Sequence, residues 1–141
     1  MEIRNLGKSG LRVSAIGLGC NNFGARINLD QTRAVIHKAF DLGITLFDTA
    51  DVYGERGGSE TCMGQVLGDR RKDIVLASKF CMPMGDGDNM KGASRRYIMS
   101  AVEASLTRLK TVIDELRDRE ASGRRMGVIA GVASRLGGAG G

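Results

Sequence analysis

The sequence has no tryptophan, one proline, one histidine and few aromatic residues. Its three cysteines, Cys20, Cys62 and Cys81, are an odd number and have no C-x-x-C spacing, which argues against a disulfide framework and a zinc site and indicates a reducing compartment. No apolar run reaches the ~18 residues of a membrane span, and no charged-then-apolar leader stands at the N-terminus. We therefore expect a cytoplasmic protein with no metal site and no membrane partner.

The positive charge of the chain is spread out rather than concentrated. The net charge is +5, and arginine pairs occur at 70–71, 95–96 and 124–125. No basic run is interleaved with aromatic residues, so we expect no nucleic-acid partner. An anionic partner such as a phosphorylated cofactor and a chance excess of arginine on a solvated surface are both compatible with this charge.

Short apolar runs alternate with helical patterns from residue 15 onward. Strands are predicted at 15–18, 44–47 and 74–78, and helices at 30–42, 59–67 and 94–110. Asp30, Ser59 and Ser94 are the expected N-caps, and Gly43 is expected to end the first helix. A hairpin is predicted over 2–14, ahead of the first strand. This βαβαβα order predicts an α/β fold with a parallel sheet.

Two of the predicted strands end in polar residues that are able to do chemistry. Asp48 follows the strand at 44–47, Lys79 follows the strand at 74–78, and Tyr53 comes shortly after Asp48. The carboxyl ends of parallel strands are where (β/α)-barrel enzymes carry their catalytic residues. A phenol keeps its proton at neutral pH, and a nearby cation makes that proton easier to donate. We therefore predict a catalytic site with Tyr53 as general acid, Lys79 as its cation and Asp48 as the partner that holds Lys79.

Each of these residues also has a plain structural interpretation when it is taken alone. Tyr53 is then a loop tyrosine, Asp48 a helix cap or turn former, and Lys79 a surface lysine. Their convergence at consecutive strand ends favours the shared site. Glu60 is interpreted as a favourable charge at a helix N-terminus. The only histidine, His37, is expected on the surface of the first helix, far from the strand ends.

Five short stretches of the sequence occur in a specific order and spacing. They are LGKSGLRVS at 6–14, IGLGC at 16–20, DTADVYG at 48–54, SE at 59–60 and IVLASK at 74–79. Through them, the segment at 6–111 resembles the aldo-keto reductase family. The resemblance implies a (β/α)₈ TIM-barrel type of fold. A complete barrel typically needs ~250 residues, so we expect an incomplete barrel made of the N-terminal hairpin and three βα units.

The resemblance also implies a function. It implies an NADPH-dependent oxidoreductase that reduces aldehydes or ketones to alcohols without a metal, with Tyr53 as the proton donor. NADH is the alternative cofactor, and a small carbonyl compound is the implied substrate. In the family, the loop after the first strand and the end of the second lie beside the cofactor. The matching cofactor-binding residues here are Gly19, Cys20, Asn21 and Asp48.

After Thr111 the sequence departs from the family pattern. The family continues with an apolar fourth strand that ends near a histidine, whereas 112–120 is charged and helical in character. We therefore divide the chain into a barrel part at 1–111 and a divergent charged, then Gly/Ala-rich tail at 112–141, and we interpret it as a truncated reductase. The alternative is a catalytically inactive barrel fragment that acts as a binding or assembly module or is an incomplete gene product. Self-association through exposed sheet edges is expected in either case.

Overall fold

The computed structural model describes residues 1–111 and 128–132. Strands β1 (Ile3–Asn5) and β2 (Arg12–Ser14) form an antiparallel hairpin, as predicted for 2–14. The elements that follow are β3 (Gly17–Gly19), α1 (Leu29–Asp41), β4 (Leu46–Asp48), α2 (Tyr53–Leu67), a 3₁₀ helix (Gly68–Asp73), β5 (Val75–Lys79), α3 (Arg95–Leu109) and β6 (Val128–Val132). The predicted alternation of strands and helices is confirmed.

The main sheet has the strand order β3-β4-β5-β6. Strands β3, β4 and β5 are parallel, as predicted. The register pairs Gly19 with Asp48 and Asp48 with Ala77, so the carboxyl ends of these three strands lie at one edge of the sheet. Residues at the ends of β3, β4 and β5 are therefore close neighbours.

Each parallel strand begins one or two residues later than the sequence predicts. Before β4, Thr45 and Ser14 exchange side-chain bonds with the backbone: the Ser14 N–H donates to Thr45 Oγ1 and the Thr45 N–H donates to Ser14 Oγ, both at 2.9 Å. These hydroxyls occupy backbone groups that would otherwise join the ladder. The strands β4 and β5 also end one residue later than predicted, so Asp48 and Lys79 are their last residues rather than the first residues of loops.

Strand β6 was not predicted. It lies within the segment at 112–141 that the sequence indicates as a divergent tail, and it runs antiparallel to β5, with Lys79 opposite Val128. The run VIAGV is rich in β-branched residues, which favour strands. The side of β5 that was expected to be an open edge is therefore paired. The rest of the predicted tail lies outside the described residues.

The helix N-termini differ in how well the sequence predicts them. Helix α1 is capped by Asn28 rather than by Asp30. The Asn28 side chain accepts from the Gln31 N–H, and the Gln31 side chain accepts from the Asn28 N–H, both at 3.0 Å, which completes a capping box. Asp30 lies in the first turn, where its charge is favourable. Ser94 caps α3 as predicted, by accepting from the Tyr97 N–H at 3.2 Å.

Helix α2 begins at Tyr53, six residues ahead of the predicted start at 59. Its backbone leaves the helical conformation at 54–57, where φ is positive, so a tight turn precedes the regular part of the helix. The hydroxyl of Ser59, the expected cap, donates instead to the Cys20 carbonyl at 2.7 Å and lies 2.8 Å from Thr49 Oγ1. Since a hydroxyl has one proton, Thr49 donates to Ser59. These bonds join α2 to the ends of β3 and β4.

The core lies between the sheet, α1, α2 and the end of α3. From α1 it takes Ile36 and Ala39, whereas Val35 and Leu42 are exposed. His37 is exposed on α1, as expected. In the described part of the chain, no helix is long and apolar enough to cross a membrane. The main core cluster consists of Cys20, Phe23, Ile36, Ala39, Phe47, Met63, Leu67, Ile74, Leu76 and Leu109.

Candidate active site

Lys79 and Asp48 form an ion pair at the carboxyl edge of the sheet. Lys79 Nζ donates to Asp48 Oδ1 at 2.5 Å and to the Thr49 carbonyl at 2.8 Å. The Lys79 side chain is 17% exposed and that of Asp48 is 47% exposed. The ammonium is thus fixed between a carboxylate and a carbonyl. It is partly shielded from water, where a charge acts more strongly on its neighbours than at an open surface.

Tyr53 lies close to the Lys79 ammonium. Lys79 Nζ is 5.4 Å from the centroid of the Tyr53 ring, within the ~6 Å at which a cation and an aromatic face attract each other. The Tyr53 N–H donates to the Ala50 carbonyl at 3.1 Å, which fixes the start of α2 against the loop after β4. The structure therefore brings together the three residues that the sequence singles out, Asp48, Tyr53 and Lys79.

The turn directly after Tyr53 is closely packed. Gly54 has a φ of +69°, and a Cβ there would collide with the Phe23 carbonyl oxygen and the Ser59 nitrogen. Glu55 and Arg56 also have positive φ, 61° and 67°, which is costly for residues with side chains. Strained backbone of this kind persists only where its surroundings hold it. The position of Tyr53 is accordingly set by the packing of this turn against the loop after β3.

The end of β3 and the loop after it contain three of the four predicted cofactor contacts. Gly19 and Asn21 are exposed, and nothing lies within 4 Å of the place where a Cβ on Gly19 would stand. The Cys20 thiol is fully buried and donates to the Leu18 carbonyl, and burial raises its pKa to about 12. The Cys20 N–H donates to the Asp48 carbonyl at 2.8 Å. Gly19, Asn21 and Asp48 thus offer an open, polar edge, while the Cys20 side chain is turned into the core.

A second polar cluster, which sequence reasoning missed, lies behind this site. Glu60 is fully buried. Its Oε1 accepts from Ser78 Oγ at 2.5 Å, and its Oε2 accepts from Arg108 Nε at 2.7 Å. Glu60 was expected to be a favourable charge at a helix N-terminus, whereas in the structure it links α2, β5 and α3. The SE stretch at 59–60 was a signal, yet Arg108 is 48 positions away and only the fold reveals it.

Asp51 adds a titratable group to this region. It is 1% exposed, and neither carboxylate oxygen has a hydrogen-bond partner of normal geometry within residues 1–111 and 128–132. Burial, and then the negative charge of Glu60, raise the pKa of Asp51 to about 6, while the Val52 N–H and Arg108 act in the opposite direction. The Asp51 N–H donates to the Lys79 carbonyl at 2.9 Å.

The raised pKa of Asp51 predicts a pH-dependent stability. The folded chain holds this proton up to about pH 6, whereas the unfolded chain releases it near the ordinary value of 3.8. The bound proton therefore stabilises the folded chain fully below pH 3.8, and this stabilisation is lost as the pH rises through about 6. A shift of this size corresponds to about 3 kcal/mol. Asp51→Asn, which cannot ionise, should gain stability relative to the wild type over that interval by up to that amount.

Urea unfolding from acid to neutral pH measures the effect. The matched control is Asp41→Asn, at an exposed aspartate at the end of α1, where a surface substitution should change the stability little. A stability difference between Asp51→Asn and the wild type that stays constant with pH would contradict the assignment.

Neither a metal site nor a disulfide is found near these residues. No group of three or more His, Cys, Asp or Glu side chains in the described ranges is arranged to hold a metal ion. Cys20, Cys62 and Cys81 are free.

Comparison with known proteins assigns these features to a family. Residues 15–116 match the family model described as Aldo/keto reductase family. The chain is 42% identical over 113 residues to the uncharacterized oxidoreductase YqkF of Bacillus subtilis (strain 168), covering 79% of this chain and 36% of that protein. It is 41% identical over 113 residues to a probable voltage-gated potassium channel subunit beta of Arabidopsis thaliana, covering 77% of this chain and 34% of that one.

Solved structures give the same result. The aldo-keto reductase AKR11C1 from Bacillus halodurans, in its holo form, is similar with a TM-score of 0.69 and 36% sequence identity. The similarity covers 80% of this chain and 38% of that chain. The chain thus spans about a third of the length of the curated relatives that it matches.

Proposed function

Because this chain belongs to the aldo/keto reductase family, we propose that it carries the proton-donating part of an NADPH-dependent carbonyl reductase site. Its α/β fold is an incomplete form of the family's TIM barrel. The observation that supports the proposal most is the Lys79 ammonium, which is held by Asp48 and faces the Tyr53 ring. The substrate is a small aldehyde or ketone, and the product is the corresponding alcohol.

In this proposal Tyr53 is the general acid. Reduction places a hydride on the carbonyl carbon, and the carbonyl oxygen must then receive a proton. A phenol is protonated at neutral pH and therefore has that proton to give. Lys79 stabilises the phenolate that remains, and Asp48 keeps Lys79 in place through a charge-assisted hydrogen bond.

The loop after β3 supports a nicotinamide cofactor beside this donor. Gly19 and Asn21 are exposed on either side of Cys20, whose N–H donates to the carbonyl of Asp48, the residue that pairs with Lys79. When bound, the cofactor supplies the hydride. NADPH is the proposed cofactor, and NADH is the alternative. A location in the cytoplasm belongs to the same proposal and is supported by the three free cysteines.

A chimera tests the proposed reaction. Residues 1–111 are joined to the part of the Bacillus halodurans reductase that follows its matched segment, and NADPH consumption is followed with a panel of aldehydes. We expect turnover by the chimera and weak or undetectable turnover by the 141-residue chain, whose single histidine, His37, is exposed on α1. The parent reductase is the positive control. A folded chimera that binds NADPH but reduces no aldehyde in the panel would contradict the proposal.

A binding or assembly role is the second candidate. It is favoured by the relative that is named as a potassium channel subunit. Among the described residues, the outer edges of β3 and β6 have no strand partner, and such edges favour pairing with further chains. Sedimentation of the 141-residue chain as a concentration-dependent oligomer, together with an inactive chimera, would support this role instead.

A further inference from the structure

Ser78, the residue before Lys79, links the candidate active site to the buried polar cluster. It lies on β5, is buried, and donates its hydroxyl proton to Glu60. Side chains of successive strand residues point to opposite faces of the sheet. A fixed Ser78 on one face therefore fixes the direction in which Lys79 leaves the strand on the other.

Glu60 is built to hold Ser78 firmly. A buried carboxylate is costly unless a cation and hydrogen bonds compensate for the lost water. Arg108 Nε supplies the cation at 2.7 Å, and Arg108 Nη2 is itself held by Ser105 Oγ at 3.3 Å. Charge-assisted hydroxyl–carboxylate bonds are short and strong, and the 2.5 Å bond from Ser78 belongs to that class.

The backbone of Lys79 is itself held by a hydrogen bond. Its carbonyl accepts from the Asp51 N–H at 2.9 Å, and Asp51 is two residues before Tyr53. Two hydrogen bonds consequently hold the end of β5. One joins the Lys79 carbonyl to Asp51, in the loop before α2, and the other joins Ser78 to Glu60 on α2. A long lysine side chain has considerable rotamer freedom, so a fixed starting point on the backbone narrows where its ammonium can lie.

We propose that Glu60 is a positioning residue for the reduction. Held by Arg108, it fixes Ser78 and thereby directs Lys79 between Asp48 and Tyr53. The catalytic consequence rests on the proposed function, whereas the effect on the position of Lys79 does not. Misplacing a reacting or tuning group by ~1 Å can cost ~10²-fold in rate, so a loss between tenfold and that limit is expected in kcat.

The position of Lys79 can be measured without any enzyme activity. The 141-residue chain is labelled under native conditions with an amine-reactive N-hydroxysuccinimide ester, and each lysine is quantified by mass spectrometry. Ser78→Ala and Glu60→Gln should make Lys79 react several-fold faster, because its ammonium is no longer held against Asp48. Ser78→Thr, which keeps the hydroxyl, should restore slow labelling.

Two controls separate a positioning effect from a general loss of structure. Ser105→Ala removes the hydroxyl that accepts from Arg108 Nη2 and leaves the bond between Ser78 and Glu60 in place, so Lys79 should label as in the wild type. The exposed lysines Lys72 and Lys110 should label at unchanged rates. If circular dichroism shows that Glu60→Gln unfolds the chain, Ser78→Ala then decides the question.

The same variants in the chimera complete the test. We expect kcat to fall while the KM for the aldehyde stays nearly constant. Unchanged labelling of Lys79 in folded Ser78→Ala would overturn the positioning role, whether or not kcat falls. Faster labelling of Lys79 with an unsubstituted chimera that never turns over would support the positioning and reject the proposed reaction.

Discussion

Tyr53→Phe is expected to lower the turnover of the chimera by ~10²- to ~10⁴-fold, the range that a positioned general acid contributes. The substitution removes the hydroxyl that donates the proton and keeps the ring, which lies 5.4 Å from Lys79 Nζ. Fold and cofactor affinity should therefore change little. The measurement is kcat with a good aldehyde substrate, together with fluorescence titration of NADPH.

The chain offers a matched control for this substitution. Tyr97 is its only other tyrosine; it lies buried on α3, and its hydroxyl makes one long bond, 3.4 Å, to the Met82 carbonyl. Tyr97→Phe should leave turnover nearly unchanged, because its hydroxyl has no part in the proton transfer. Comparable losses in the two variants, or full activity of Tyr53→Phe, would remove Tyr53 from its role.

Arg108→Met should destabilise the chain by about 3–5 kcal/mol, the usual cost of removing one partner of a buried ion pair. Glu60 has no exposed surface, so its charge stays buried without the Arg108 cation, and within residues 1–111 and 128–132 only Ser78 still donates to it. Methionine keeps most of the side-chain stem, which limits the loss of packing. Urea unfolding of the 141-residue chain, followed by circular dichroism, measures the difference in the free energy of unfolding.

An exposed ion pair provides the control for Arg108. Arg4 and Glu2 are joined at 2.9 Å, but both side chains are 65% exposed. Arg4→Met should therefore destabilise the chain far less than Arg108→Met, because exposed ion pairs contribute little to stability. Adding Glu60→Leu to Arg108→Met should recover part of the stability, because no unpaired buried charge remains. Equal losses from Arg108→Met and Arg4→Met would show that burial of the pair has no special weight.

Local patterns in the sequence were enough to predict most of the fold. The parallel strands, the helices between them and the Ser94 cap depend on periodicity and capping within a few residues of one another. Exact bounds depend on more distant contacts, as the exchange of bonds between Ser14 and Thr45 shows. Strand β6 was missed, although its residues favour a strand. Its antiparallel pairing with β5 depends on how the chain returns to the sheet, which no local pattern indicates.

The candidate site divides in the same way. Asp48, Tyr53 and Lys79 were predicted because parallel strands bring their carboxyl ends to one edge, so order along the chain implies proximity. The contact between Glu60 and Arg108 depends instead on how α2 packs against α3, and its two residues carry no joint signal in the sequence. The burial of Cys20 also has no signal in the sequence, because it depends on the core cluster that Cys20 joins in the folded chain.

In the proposed site, Tyr53 and Lys79 act as one proton-donating unit. The kcat of the chimera in a double-mutant cycle of Tyr53→Phe and Lys79→Met tests this claim most directly. Residues that act as a unit are strongly non-additive, so the double variant should lose about as much activity as Tyr53→Phe alone. Losses that multiply, so that the double variant falls by the product of the two single effects, would show that Lys79 works independently of Tyr53 and would contradict the claim.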